Sequence, residues 1–155
     1  MTDTTPSIDL VLERTFDAPR ELVWRAFTDP DQIAAWFGPV GYSVPRETVE
    51  VDLRPGGHQR FTMVSDDDPS VTSPVEGRFV EVVEPELLVT EEHWEGVPGM
   101  QDAGLMRARF EFHDEGAGRT RLVIRQGPYS EAMEDMSRQG WESSFTKLDS
   151  LLAAA

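Results

Sequence analysis

Between residues 44 and 124 the chain offers six extended runs and nothing between them long enough to be a crossover helix. The runs are 44–53, 59–64, 75–83, 87–94, 106–112 and 120–124, all rich in Val, Phe, Leu and Thr. Turn chemistry punctuates them: Pro55-Gly56-Gly57, Asp66-Asp67-Asp68-Pro69-Ser70, Glu84-Pro85-Glu86, Gly96-Val97-Pro98-Gly99 and Glu115-Gly116-Ala117-Gly118. Parallel neighbours need connections of a dozen or more residues, so these runs are expected to form an antiparallel meander. In the fifth run Met106, Ala108, Phe110 and Phe112 alternate with Arg107, Arg109, Glu111 and His113, which predicts one buried and one wet face.

Helical periodicity flanks this region. After a first strand over 8–16, Pro19 suits a helix start, and Leu22, Val23, Ala26 and Phe27 line one side of a short helix. Asp29 and Pro30 restart the pattern as cap and first residue of a second short helix carrying Ile33, Trp36 and Phe37. At the C-terminal end Ser130 caps a long helix running to about Leu152. Its apolar stripe of Met133, Met136, Trp141, Phe145, Leu148 and Leu152 is wide enough to cover a sheet. The predicted order is one strand, two short helices, six strands and one long helix, in a single domain over 1–155 with a frayed polar start at 1–6.

Charge and composition narrow the function classes. Against 14 Lys and Arg stand 29 Asp and Glu, a formal charge of −15 that repels nucleic-acid backbones and anionic membrane surfaces. With no cysteine, thiolate catalysis and Cys-ligated zinc are excluded. The start of the chain shows neither a basic nor an apolar signal region, which leads to the expectation of a cytoplasmic protein.

The element order and four stretches carry a family resemblance. These are "RTFDAPRELVWRAFTDPDQIAAWFGP" at 14–39, "VDLRPGGHQRFTM" at 51–63, "EGRFVEVVEPELLVTEEHW" at 76–94 and "GWESSFTKLDSLLA" at 140–153. In that order they resemble the helix-grip superfamily known as START or SRPBCC, within its branch of activator-of-heat-shock-chaperone-ATPase homologues. The resemblance implies an α+β fold in which a curved seven-stranded antiparallel sheet grips the C-terminal helix. It also implies a cavity between them for an apolar or amphipathic small molecule. Activity does not follow, because one fold hosts many functions.

The residue-level signals fit that expectation. Gly56-Gly57 is followed by a strand pattern and no nearby Lys, so it reads as a type II hairpin turn rather than a phosphate loop. The expected pocket lining is Trp36, Phe61, Met63, Phe79, Trp94, Met106, Phe110, Met133, Trp141 and Phe145, each of which can equally be plain core. The candidate polar pocket groups are His93, Arg109, Arg125 and Tyr129. Glu91 and Glu92 must point to opposite faces of their strand, so only one of them can be a pocket acid. His58, His93 and His113 lack zinc-ligand spacing, and no serine sits in a nucleophile elbow, so neither a metal, a cofactor nor a nucleophilic triad is expected.

Three readings follow. The preferred one is binding of a small apolar or amphipathic molecule between the sheet and the last helix, without firm catalytic activity. The second is a polyketide cyclase or dehydratase kind of enzyme, which requires polar groups inside the cavity. The third, a co-chaperone-like interaction module, rests on the family resemblance, as does pairing into a homodimer.

Overall fold

The structure, a computed structural model, describes residues 8–94 and 105–154; for Ile8, His93 and Trp94 it describes the backbone. The expected loop at 95–104 and the expected frayed start therefore lie outside the described residues. Strand β1 (Ile8–Phe16) leads into α1 (Arg20–Thr28) and α2 (Pro30–Trp36). Two short strands follow, β2 (Tyr42–Ser43) and β3 (Glu50–Val51). Then come β4 (His58–Ser65), β5 (Thr72–Val83), β6 (Leu87–Trp94), β7 (Met106–Gly116), β8 (Arg119–Tyr129) and the long helix α3 (Glu131–Ala153).

All strands form one antiparallel sheet in the order β1-β8-β7-β6-β5-β4-β2, with β3 also paired to β4. The fold is α+β: helix α3 lies across one face of the sheet, with α1 and α2 alongside it, as the helix-grip expectation requires. Alternation decides which residues meet α3. On β7 Met106, Ala108, Phe110 and Phe112 are buried and Arg107 and Arg109 are exposed. Leu122 and Ile124 of β8 face the same interior. From α3, Met133, Trp141, Phe145, Leu148 and Leu152 complete the main core. Met136, read as part of the stripe, is exposed.

One strand departs from expectation. The run 44–53 does not form a single strand: Ser43 pairs with Val64 and Glu50 with Arg60, so six residues, 44–49, stand opposite three, 61–63. Pro45 lacks an amide hydrogen for the ladder, and a 3-10 turn at Arg46–Thr48 takes up the surplus. Thr48 holds the turn by donating its hydroxyl to the Pro45 carbonyl at 2.7 Å and accepting from the Thr62 amide at 3.2 Å. Pro19 is a second small shift, lying just before α1 at its cap position. Asp29 caps α2 as expected, accepting from the amides of Asp31 and Gln32.

The double glycine makes a tight turn into β4. The Gly57 amide donates to the Arg54 carbonyl at 2.8 Å, with Pro55 and Gly56 at the corner and Gly56 at φ 82°, as a type II turn demands. Gly57 serves a different purpose: a Cβ there would lie 2.0 Å from the Asp52 carbonyl oxygen. Both glycines also hydrogen-bond the Phe79 backbone, welding the turn to β5. Gly57→Ala is therefore expected to cost more than Gly56→Ala, although Gly56 carries the positive φ. The first must move backbone, at least about 2 kcal/mol, and the second pays only a left-handed penalty of roughly 1 kcal/mol. Urea midpoints of the two variants check the order; equal midpoints would contradict it.

Candidate functional site

Among the described residues, the core between sheet and α3 is closely packed. Its one cavity bounded by the interior polar groups measures about 20 Å³ among the described residues, room for about one water-sized group. Preformed ligand pockets usually run to several hundred Å³, and this cavity, bounded by described residues, is far smaller. The reason is aromatic mass. Phe27, Phe37, Phe61, Phe110 and Trp141 line the space, joined by Ile33, Val75 and Leu88. The rings meet largely edge to face: Phe37–Phe61 at 4.6 Å, Phe37–Trp141 at 5.8 Å and Phe110–Trp141 at 5.9 Å between centroids.

Of the expected lining, Phe61, Phe110 and Trp141 border this cavity. Trp36, Met63, Phe79, Met106, Met133 and Phe145 are buried in the surrounding core without touching it. Trp36 is held there by a hydrogen bond from its indole nitrogen to the Ala26 carbonyl at 2.8 Å. The side chains of Trp94 and His93 lie outside the described residues.

Two of the candidate polar groups must be reassigned. Arg109 and Arg125 stand opposite one another across β7 and β8, both exposed on the solvent face of the sheet, with Arg107 exposed beside them. Arg109 there pairs with Glu111 at 2.8 Å. Strand parity places them away from the interior, so neither can meet a ligand inside. Tyr129 is buried, with its hydroxyl 3.1 Å from the Ser137 hydroxyl on α3. Glu91 points outward to Arg78 at 2.9 Å, leaving Glu92 as the interior acid.

Glu92 is 3% exposed and belongs to a polar network that ties two strands, β6 and β8, to α3. Thr90 donates to it at 2.6 Å and the Gln126 amide nitrogen at 3.4 Å. The other end of Gln126 accepts from the Trp141 indole at 2.9 Å and from Ser137 at 3.4 Å. Gln59, a second polar residue lining the cavity, was not anticipated from the sequence, whereas Glu92 was one of the two acids considered there. Its side-chain amide makes no hydrogen bond to the protein among the described residues, although the residue is only 9% exposed. The signal for Gln59 lay in parity: it shares a face with Phe61 and Met63, as Glu92 does with Leu88 and Thr90.

A second hollow lies outside, a shallow groove of about 770 Å³ between α1, β3 and the β5–β6 turn. Charged Glu21, Arg25, Asp29 and Glu84 rim it, and it is open to solvent. Its size reflects that openness; the enclosed polar groups belong to the interior.

Gln126 is the hub of the network, so Gln126→Leu should leave the Trp141 indole and Glu92 short of a partner at once. A loss of about 2–4 kcal/mol is expected in urea unfolding, against less than about 0.5 for a surface control such as Gln139→Leu. Burial pushes the Tyr129 phenol above the usual tyrosine range, and the nearby Glu92 charge adds to this while the Ser137 hydrogen bond opposes it. The unfolded chain therefore releases this proton first, from about pH 10, and binds fewer protons than the native state above that point. Stability from Tyr129 is complete below pH 10 and drains away as pH rises. Tyr129→Phe should flatten the fall in unfolding midpoint between pH 9 and 11, and an unchanged slope would contradict the assignment.

No helix among the described residues is long and apolar enough to cross a membrane. None of the curated proteins searched matches this chain. Several solved structures share its fold. Protein CV1439 from Chromobacterium violaceum is 26% identical with a TM-score of 0.80, covering 94% of this chain and 98% of its own. Protein NE0264 from Nitrosomonas europaea is 28% identical with a TM-score of 0.76, covering 94% of each chain. The AHSA1 protein from Silicibacter pomeroyi is 25% identical with a TM-score of 0.79, covering 95% of this chain and 99% of its own. The family model described as activator of Hsp90 ATPase homolog 1-like protein matches residues 17–153, and with the helix-grip architecture this places the chain in that family.

Proposed function

We propose that this protein binds a small molecule with an apolar body and a polar end in the interior between the sheet and α3. The observation that carries the reading is Gln59: a mostly buried residue whose amide makes no protein hydrogen bond among the described residues, set in an aromatic-walled cavity beside a buried acid. An amide with no protein hydrogen bond facing this cavity is available to the polar end of a ligand. The body of such a ligand exceeds the 20 Å³ at hand, so the walls must give. Half-buried Phe37, just past the end of α2, and the adaptable Met63 beneath Gly38 are the side chains placed to move.

A second reading draws on Glu92. An interior carboxylate held by Thr90 and Gln126 is suited to accept a proton from a bound compound, which is the requirement of the cyclase or dehydratase kind of chemistry. With Arg109 and Arg125 on the outer face, that chemistry would rest on Glu92 among the residues described.

Native mass spectrometry of protein isolated from its own host tests the first reading. The expected result is a non-covalent adduct of a few hundred daltons that is released on acid denaturation. Protein that carries no adduct, and whose tryptophan fluorescence is unmoved by neutral apolar compounds up to their solubility, would overturn it.

A further inference from the structure

The residue opposite both polar groups of the cavity is a glycine. In the sheet register Gln59 of β4 pairs with Gly77 of β5, and Gly77 pairs with Glu92 of β6. The three form one row across the inner face, with a side chain missing in the middle. The row is built as a notch: a Cβ on Gly77 would stand 3.4 Å from the Glu92 Cγ and 3.5 Å from both the Cγ and the amide nitrogen of Gln59. Those are ordinary contact distances, and the backbone there is not left-handed, so nothing in the fold requires glycine at this position. Absence of the side chain leaves the two polar groups converging over bare backbone, at one wall of an otherwise apolar cavity.

The wall carries an acid and, among the described residues, no cation. Glu92 presents carboxylate oxygens, which accept, and its placement is fixed by Thr90 and Gln126. Gln59 offers an amide that both donates and accepts, and turns either way to suit its partner. No Arg, Lys or His is among the described side chains that line the cavity. A carboxylate or phosphate entering here would meet another carboxylate in a low-dielectric space within a chain of charge −15. A hydroxyl or protonated amine would donate to Glu92, and the Gln59 carbonyl would take a second donor hydrogen where there is one.

We propose that the Gln59–Gly77–Glu92 row is the head-group site for the interior ligand, and that it selects a hydrogen-bond-donating head, alcohol or primary amine, over an anionic one. The proposal rests on the interior-binding reading above and names the polar end of what binds there. Specificity comes from Glu92: a donor head can bond both Glu92 and Gln59, whereas an anionic head can bond Gln59 alone and is opposed by the Glu92 carboxylate.

The test uses three probes with one body, 1-octanol, octylamine and octanoate, titrated into the full chain at neutral pH and followed by calorimetry and tryptophan fluorescence. Octanol and octylamine are expected to bind at least about tenfold more tightly than octanoate, the scale of one charge-assisted hydrogen bond. Gly77→Ala, which fills the notch at ordinary contact distance, should reduce that preference to less than about threefold, as should Gln59→Leu. Cooperative urea unfolding of each variant confirms that it is folded, and either one alone suffices for the comparison. Equal binding of all three probes, tighter binding of octanoate, or a preference untouched in a folded variant would each overturn the head-group site while leaving interior binding in place. If none of the three probes binds, both readings fall.

Discussion

Everything in this molecule depends on burying one face of an antiparallel sheet beneath α3. A sheet of this size with both faces wet would leave Met106, Phe110, Phe112, Leu122 and Ile124 in water, at roughly 1.5–3 kcal/mol for each large side chain. The helix supplies Trp141, Phe145, Leu148 and Leu152 against them, while α1 and α2 add Phe27, Trp24 and Trp36. Edge-to-face contacts such as Trp24–Phe112 at 5.2 Å and Phe16–Phe145 at 5.4 Å lock the layers in a specific arrangement. Aromatic side chains thus converge on this core from both the sheet and the helices.

Within that apolar mass the polar network has to be self-consistent. Gln126 joins Glu92 on the sheet to Trp141 on the helix, so the position of α3 and the placement of the interior carboxylate are set together. Such a network is costly when half satisfied and specifying when complete. Gln59 stands outside it, one strand beyond Gly77, and this separation is what gives the cavity an uncommitted polar wall. On the opposite face of the same strands the charged residues mostly satisfy each other. Arg109 and His113 both reach Glu111, holding its carboxyl below the usual range, and Arg121 reaches Glu13 and Glu115. Those pairs are exposed and contribute little each. Their effect is to keep one face soluble while the other is packed.

The architecture was legible in residue patterns, and the site only in part. Turn signals and alternation located the long strands, and capping residues Asp29 and Ser130 marked two helix starts. The break between β2 and β3 was missed because Val44, Val49 and Val51 look like strand residues, whereas Pro45 and the surplus of residues against β4 decide otherwise. Arg109 and Arg125 drew attention as pocket cations by type. Parity sends them outward, and the same parity sends Glu92 and Gln59 inward.

The sequence by itself determined the fold, because short turns forbid crossovers and a period of two selects which residues meet the helix. It also determined the character of the interior, aromatic and free of cysteine. Only the tertiary structure decided how full that interior is, since cavity volume depends on how side chains from several elements interlock. It alone set Gln59, Gly77 and Glu92 in one row, because cross-strand register joins residues 18 and 15 positions apart that no local pattern connects.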